Sequence, residues 1–170
     1  MDKTVSLAEK LLREYWDNEL LPVDPIRIAN SIGLKVYSKD KDCEEKENCL
    51  YLDISEPSWN QRWFVAHSIA YHLLFKKKQP EDPLERVLMD IECNRFARTL
   101  LIPDRMIMEL VDLAVPFKYL CDTFDVPAEQ INIKLKPVYE RERIVAFNNP
   151  HVRVGLYKQI KEQEANQSPR

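Results

Sequence analysis

The stretch at residues 60–75 limits the fold more than any other part of the chain. Its apolar side chains recur at helical spacing and lie on almost every side of the helix, at positions 63–66, 69, 70, 73 and 74. A helix that is apolar all round is normally buried in a globular core. We therefore predict a buried central helix, and the 45% of hydrophobic residues in this chain of 170 can enclose it within one domain.

The remaining patterns predict mostly helices. Apolar spacing indicates helices at residues 6–16, 84–101 and 103–111, and two short helices within 116–135 that flank residues 125–127. A further short helix at 26–31 is predicted by Asp24 as its N-cap and Pro25 at its first position. These helices account for most of the predicted regular structure.

Short strands are predicted at residues 34–37 and 49–54, and the polar stretch 38–48 between them is typical of an exposed loop or hairpin tip. Two more strands, at 143–147 and 152–157, would flank an Asn-Asn-Pro turn. The expected fold class is thus α+β and mostly helical, with a small sheet packed on the central helix. We expect one domain over residues 1–157 and a polar C-terminal tail over 158–170.

Composition excludes several classes of protein. The formal net charge is -3, so no overall basic field attracts a nucleic-acid backbone, and no apolar run reaches the length of about 18 residues that a membrane span needs. Only 2 glycines occur and no glycine-rich phosphate loop is present. With no signal-peptide pattern, the expected location is the cytoplasm, where the four cysteines (Cys43, Cys49, Cys93 and Cys121) would be reduced thiols.

Three segments together point to a family. They read LPVDPIRIA at 21–29 followed by GLKV at 33–36, QRWFVAHSIAYHLL at 61–74, and DIECNRFARTLLIP at 90–103, with a weaker fourth, LCDTFDVP, at 120–127. In order and spacing they resemble the ImmA/IrrE family of zinc metallopeptidases, over roughly residues 6–136. The second segment is similar to the family's H-E-x-x-H helix. The resemblance implies a zincin-like domain.

The resemblance also implies roles for particular residues. His67 stands at the first zinc-ligand position, Ser68 at that of the glutamate general base, and Tyr71 at that of the second histidine. Asp90 falls where the family has a carboxylate ligand, and Glu92 is the neighbouring alternate. The base and one imidazole are therefore replaced, and we identify no confident catalytic residue.

Two interpretations of these positions stay open. His67, Tyr71 and Asp90 would either form a hydrogen-bonded core group without metal, or hold zinc through an unusual phenolate ligand. His72 is a second alternate ligand, but five residues on an α-helix place it about 140° from His67, so it would need a π-bulge to reach the same ion. We expect no cofactor, with zinc as the alternative.

The resemblance implies a regulatory setting, because such family members are commonly encoded with a helix-turn-helix repressor in phages, mobile elements and stress-response loci. We expect a degenerate, non-catalytic member that binds a protein such as that repressor. The alternative is a zinc-dependent endopeptidase with an atypical metal site that cleaves the repressor. A third hypothesis, direct DNA binding by a helix-turn-helix-like stretch at 116–135, is disfavoured because Asp122, Asp125 and Glu129 lie within it.

Overall fold

The structure is a computed structural model that describes residues 2–16, 20–38, 48–75, 80–113 and 115–148, the last eight of these as backbone only. In chain order its elements are α1 (Lys3–Tyr15), α2 (Pro25–Ser31), β1 (Lys35–Ser38), β2 (Cys49–Leu52), α3 (Ser58–Phe75), α4 (Pro83–Leu101), α5 (Asp104–Asp112), α6 (Phe117–Phe124) and α7 (Ala128–Asn148). The predicted fold class, α+β and mostly helical with a small sheet, is confirmed.

Aspartates start three of the helices. The carboxylate of Asp2 accepts a hydrogen bond from Thr4 N at 2.9 Å, that of Asp24 from Ile26 N at 2.9 Å, and that of Asp82 from Glu85 N at 2.8 Å. Each carboxylate satisfies a backbone N–H that has no partner inside its helix. The sequence prediction that Asp24 and Pro25 begin α2 is confirmed.

The core forms around α3 and α4. Helix α4 packs against both α3 and α1, and α2 packs against α3. The largest fully buried side chains come from α2, α3, α4, α5, α6 and α7 and the segments beside them: Val23, Ile28, Val65, Ile69, Phe96, Leu100, Leu101, Ile102, Ile107, Phe124, Ile131 and Leu135. One continuous apolar cluster therefore connects the described helices.

The central helix is buried on one side only. Val65, Ala66, Ile69 and Ala70 of α3 are fully buried, whereas Phe64 is 46% exposed. In the described part of the chain, α3 packs mainly against α2, α4 and β2, and Arg62 near its start contacts the end of α6. The sequence predicted the helix correctly, but its apolar residues do not reveal that one face is left open.

The sheet consists of β1 and β2, which pair in parallel from Lys35 opposite Cys49 to Ser38 opposite Leu52. A hairpin joins antiparallel strands, so the hairpin alternative for residues 38–48 is wrong. Gly33, in the turn between α2 and β1, has φ +87°, a left-handed conformation that is strained for residues with a Cβ. Residues 39–47 of the expected loop lie outside the described part.

The predicted strand at 143–147 is wrong, because α7 continues as a helix to Asn148. Extending an existing helix requires no new nucleation, and the strong helix formers at 140–143 favour extension even beyond Pro137. The predicted strand at 152–157 and the tail at 158–170 lie outside the described residues. Within the residues that are described, no helix combines the length and apolar character needed to cross a membrane.

Candidate functional site

The candidate site lies where α3 and α4 face each other around His67. Its ring atom Nε2 is 2.9 Å from Oδ1 of Asp90, which lies 23 residues later on α4. The His67 side chain is 28% exposed and that of Asp90 is 60% exposed, so the pair stands at the solvent edge of the interface. An ionised carboxylate only accepts hydrogen bonds, so the donor in this contact is an N–H at Nε2 when Asp90 is ionised.

The contact between His67 and Asp90 belongs to a longer hydrogen-bonded chain. Asn94 Nδ2 donates to the second carboxylate oxygen of Asp90 at 2.9 Å, and Trp63 Nε1 donates to Asn94 Oδ1 at 3.2 Å. The amide nitrogen of Asn94 can only donate and its amide oxygen can only accept. These two contacts therefore fix the orientation of the Asn94 amide. Trp63 and His67 are four residues apart on α3, as are Asp90 and Asn94 on α4, so each pair shares a helix face.

A cavity of about 230 Å³ opens beside this chain of hydrogen bonds. Its walls come from α3, α4 and the short segment before α4: His67, Tyr71, Pro80, Arg86, Met89, Asp90 and Cys93. The structure thus brings together three residues that the sequence singled out, His67, Tyr71 and Asp90, around one space. Tyr71 also packs on Phe75, with ring centroids 6.0 Å apart.

The other candidate residues lie elsewhere. Ser68 is half-buried on α3 and is not part of the cavity wall. Glu92 faces α1, where its carboxylate accepts a hydrogen bond from Thr4 Oγ1 at 2.5 Å and lies 3.6 Å from Arg95. His72 is half-buried, and α3 is regular α-helix throughout, with no π-bulge to turn it toward His67.

Burial keeps Cys93, at the base of the cavity, a neutral thiol. Its side chain is fully buried, and this burial, together with the negative charges of Asp90 and Glu92, raises the pKa of the Cys93 thiol to about 11. A metal is bound by the thiolate, so Cys93 is a poor ligand here.

These donors do not fit a catalytic zinc centre. Such a centre takes three ligands from His, Cys and carboxylate side chains and leaves a fourth position for water. The cavity offers one imidazole, one carboxylate and a phenol, and a phenol is a poor zinc ligand near neutral pH because it must first ionise. Among all described residues, no group of three His, Cys, Asp or Glu side chains is arranged to hold a metal ion.

Three residues of the site were missed from the sequence. Trp63 was counted only as an apolar helix residue, Cys93 only as a reduced thiol, and Asn94 was given no role, yet Trp63 and Asn94 extend the hydrogen-bonded chain and Cys93 lines the cavity. A usable signal existed, because Trp63 and Asn94 each stand four residues from a singled-out polar residue on the same helix. The spacing of residues within one helix could not predict which residues of the other helix they contact.

Comparison with known proteins agrees with this architecture. No curated protein matches the chain. A family model described as the IrrE N-terminal-like domain, of the Peptidase M78 group, matches residues 27–136, a span that contains α3, α4 and every residue of the cavity. This metallopeptidase-like chain therefore belongs to the IrrE N-terminal-like domain family.

Proposed function

We propose that the chain is a cytoplasmic, non-catalytic member of its family that regulates by binding a protein. The expected partner is a helix-turn-helix repressor in a phage, mobile-element or stress-response setting. One observation carries the proposal: where a hydrolase of this kind presents a carboxylate and a second imidazole, α3 presents Ser68 and Tyr71. The remaining imidazole, His67, is held by Asp90.

The chemistry of these side chains opposes hydrolysis. Peptide hydrolysis by a metallopeptidase needs a base that takes a proton from water, and general acid–base catalysis typically contributes about 10² to 10⁴-fold to the rate. The Ser68 hydroxyl is a poor proton acceptor near neutral pH. Asp90 is engaged by His67 and Asn94, so it supports the network and is not a free base.

The open face of α3 supports a binding role. Phe64 is 46% exposed, and Phe64 and Tyr71 are seven residues apart, which places them on the same side of the helix two turns from each other. His67 lies between them. An aromatic surface beside a cavity with a few polar groups is typical of a site that holds part of another molecule.

Metal analysis of the purified full chain, combined with a peptidase assay, tests the loss of catalysis. We expect less than stoichiometric zinc after dialysis and no cleavage of a repressor. In the variant that carries both Ser68→Glu and Tyr71→His, the H-E-x-x-H set is rebuilt and zinc content should rise. The matched control carries Ser68→Glu with Tyr71→Phe, which restores the carboxylate without the imidazole and should not gain zinc.

The alternative function, a zinc-dependent endopeptidase with an atypical site, makes the opposite prediction. Stoichiometric zinc in the unaltered chain, together with repressor cleavage that His67→Ala abolishes, would establish that activity and reject our proposal.

Binding is tested with a purified helix-turn-helix repressor encoded beside the chain. Phe64→Asp should weaken the complex by at least about tenfold, because it places a charge within an apolar contact. Leu113→Asp is the control, since Leu113 is a 72% exposed apolar residue at the end of α5. Mass spectrometry should show the repressor intact. Equal affinities for the Phe64→Asp variant and the unaltered chain would show that the repressor does not bind at the face of α3.

A further inference from the structure

Helix α4 carries a second apolar surface that faces solvent. Four of its large apolar residues are about half exposed or more: Leu84 (67%), Val87 (54%), Leu88 (55%) and Ile91 (49%). We call this set the α4 stripe. Exposed apolar residues are common singly, but a contiguous group on one helix marks an interaction surface.

The spacing of the α4 stripe is that of a helix–helix contact. The four residues stand at i, i+3, i+4 and i+7, so they form one row about 10.5 Å long over two turns. The buried residues of α4, which include Met89, Cys93 and Phe96, lie on the opposite side of the helix. Helix α4 is therefore apolar on two faces, of which the described residues cover one.

The α4 stripe is separate from the cavity beside His67. The α4 residues that line the cavity are Arg86, Met89, Asp90 and Cys93, and none of them belongs to the stripe. The first turns of α4 also extend beyond the core, because residues 83–88 are all exposed except Glu85, which is half-buried. This helix end is accessible to a partner from several directions.

The charges around the α4 stripe indicate what kind of partner fits. Between residues 81 and 95 the chain has five carboxylates, on Glu81, Asp82, Glu85, Asp90 and Glu92, and two guanidiniums, on Arg86 and Arg95, so the surround keeps an acidic excess. Among these carboxylates, Glu92 pairs with Arg95, and Asp90 contacts His67 and Asn94. A second copy of this chain, paired across a two-fold axis at the stripe, would bring two acidic surrounds together. A partner with basic residues at the edges of its apolar face complements both the charge and the apolar row.

We propose that the α4 stripe docks an amphipathic helix of another protein. Its apolar residues would stand at i, i+3, i+4 and i+7, with lysine or arginine on both sides of them. The apolar row supplies the contact, and the acidic surround selects basic flanks and aligns the helix. The surface is distinct from the face of α3, so this interaction and the proposed function stand or fall separately.

The test uses the full chain and a fluorescent synthetic peptide that is helical, with leucine at the four apolar positions and lysine at the flanks. Fluorescence anisotropy should show saturable binding that weakens with added salt. The double variant Val87→Glu with Leu88→Glu should bind the peptide at least about tenfold more weakly. Leu113→Glu, a charge added at an exposed leucine elsewhere, should leave the affinity unchanged.

Four outcomes would overturn the proposal. A matched peptide with glutamate flanks that binds equally well or better would show that the acidic surround does not select the partner. A dimer that the double variant disrupts would make a second copy the occupant. A clear fall in melting temperature of the double variant would show that the chain itself covers the stripe. Equal affinity of the double variant and the unaltered chain would locate the peptide elsewhere.

Discussion

Asp90 connects the two helices of the site, because one carboxylate oxygen contacts His67 and the other accepts from Asn94. A carboxylate that accepts two hydrogen bonds fixes both partners in orientation. Trp63 then completes the chain from α3 through Asn94. Hydrogen bonds between side chains therefore connect α3 and α4 at this interface.

Asn94→Ala tests this chain of hydrogen bonds. The substitution removes the acceptor of the Trp63 N–H and a donor to Asp90, so we expect the free energy of unfolding to fall by about 1–3 kcal/mol. Urea unfolding followed by tryptophan fluorescence measures the change, and the emission of native Trp63 should shift as well. Asn132→Ala, at an exposed position of α7, is the control and should stay within about 0.5 kcal/mol.

Cys93 predicts a specific pH dependence of stability. Burial, with Asp90 and Glu92, raises the pKa of the folded-state thiol from 9.0 to about 11. The folded chain then keeps a proton that the unfolded chain loses, so stability is full below pH 9 and declines as the pH rises toward 11. The decline from this group should be on the order of 2 kcal/mol.

The measurement compares the unaltered chain with Cys93→Ala between pH 8 and about 11. The difference between their free energies of unfolding should shrink with pH, because the variant lacks the thiol. A constant difference would contradict the raised pKa. In the folded chain at pH 8, Cys93 should also react with thiol reagents far more slowly than Cys49 or Cys121, which are partly exposed.

The position of α3 depends on Arg62 near its start. Its guanidinium donates to the carbonyls of Val23 at 2.8 Å, Phe124 at 2.9 Å and Asp125 at 2.7 Å, and lies 3.1 Å from the Asp125 carboxylate. One side chain thus joins α3 to the segment before α2 and to the end of α6. Burial lowers the pKa of Arg62, and the charge of Asp125 opposes that shift.

Removal of this connection should be costly. Arg62→Ala leaves three carbonyls without a donor and should lower the free energy of unfolding by about 3–5 kcal/mol. Arg62→Lys should recover only part of the loss, because an ammonium cannot reproduce the planar fork of donors. The control is Arg105→Ala, whose side chain is 72% exposed and lies 3.0 Å from Glu109 on the same helix, so the cost should stay below about 1 kcal/mol. Equal losses for Arg62→Ala and Arg105→Ala would contradict this role.

For the molecule as a whole, the expectation of a single domain over residues 1–157 remains a prediction. It is supported by Phe124 of α6 and by Ile131 and Leu135 of α7, which are almost fully buried and belong to the same cluster as α3 and α4. Connected burial of this kind favours a single cooperative unfolding transition.

Phe124→Ala tests whether α6 and α7 unfold together with the rest. It removes the ring of a fully buried residue, so it should destabilise the whole chain by about 3–5 kcal/mol while retaining one transition. Circular dichroism and tryptophan fluorescence should give coincident unfolding curves. Two separate transitions, with only the first shifted by the substitution, would show that the chain contains more than one cooperative unit.

Local patterns alone predicted most elements of this protein. Apolar spacing, the Asp24–Pro25 start of α2 and the turn at 125–127 identified the helices that the structure contains, because helix signals depend on neighbouring residues. The same local logic failed at 143–147, where the apolar residues suited a strand but the helix begun at Ala128 continued. It also failed for the sheet, since strand direction depends on how separate segments meet.

At the site, the family resemblance of the sequence identified His67, Tyr71 and Asp90 but could not decide their contacts. Whether Asp90 or Glu92 faces His67 depends on how α4 is rotated against α3 and α1, and only packed helices determine that rotation. The open face of α3 and the uncovered face of α4 have the same origin, because an apolar residue in a sequence does not reveal whether a neighbour covers it. Each position of the sequence gives the type of one residue, whereas the burial and the contacts of that residue depend on how the folded helices pack together.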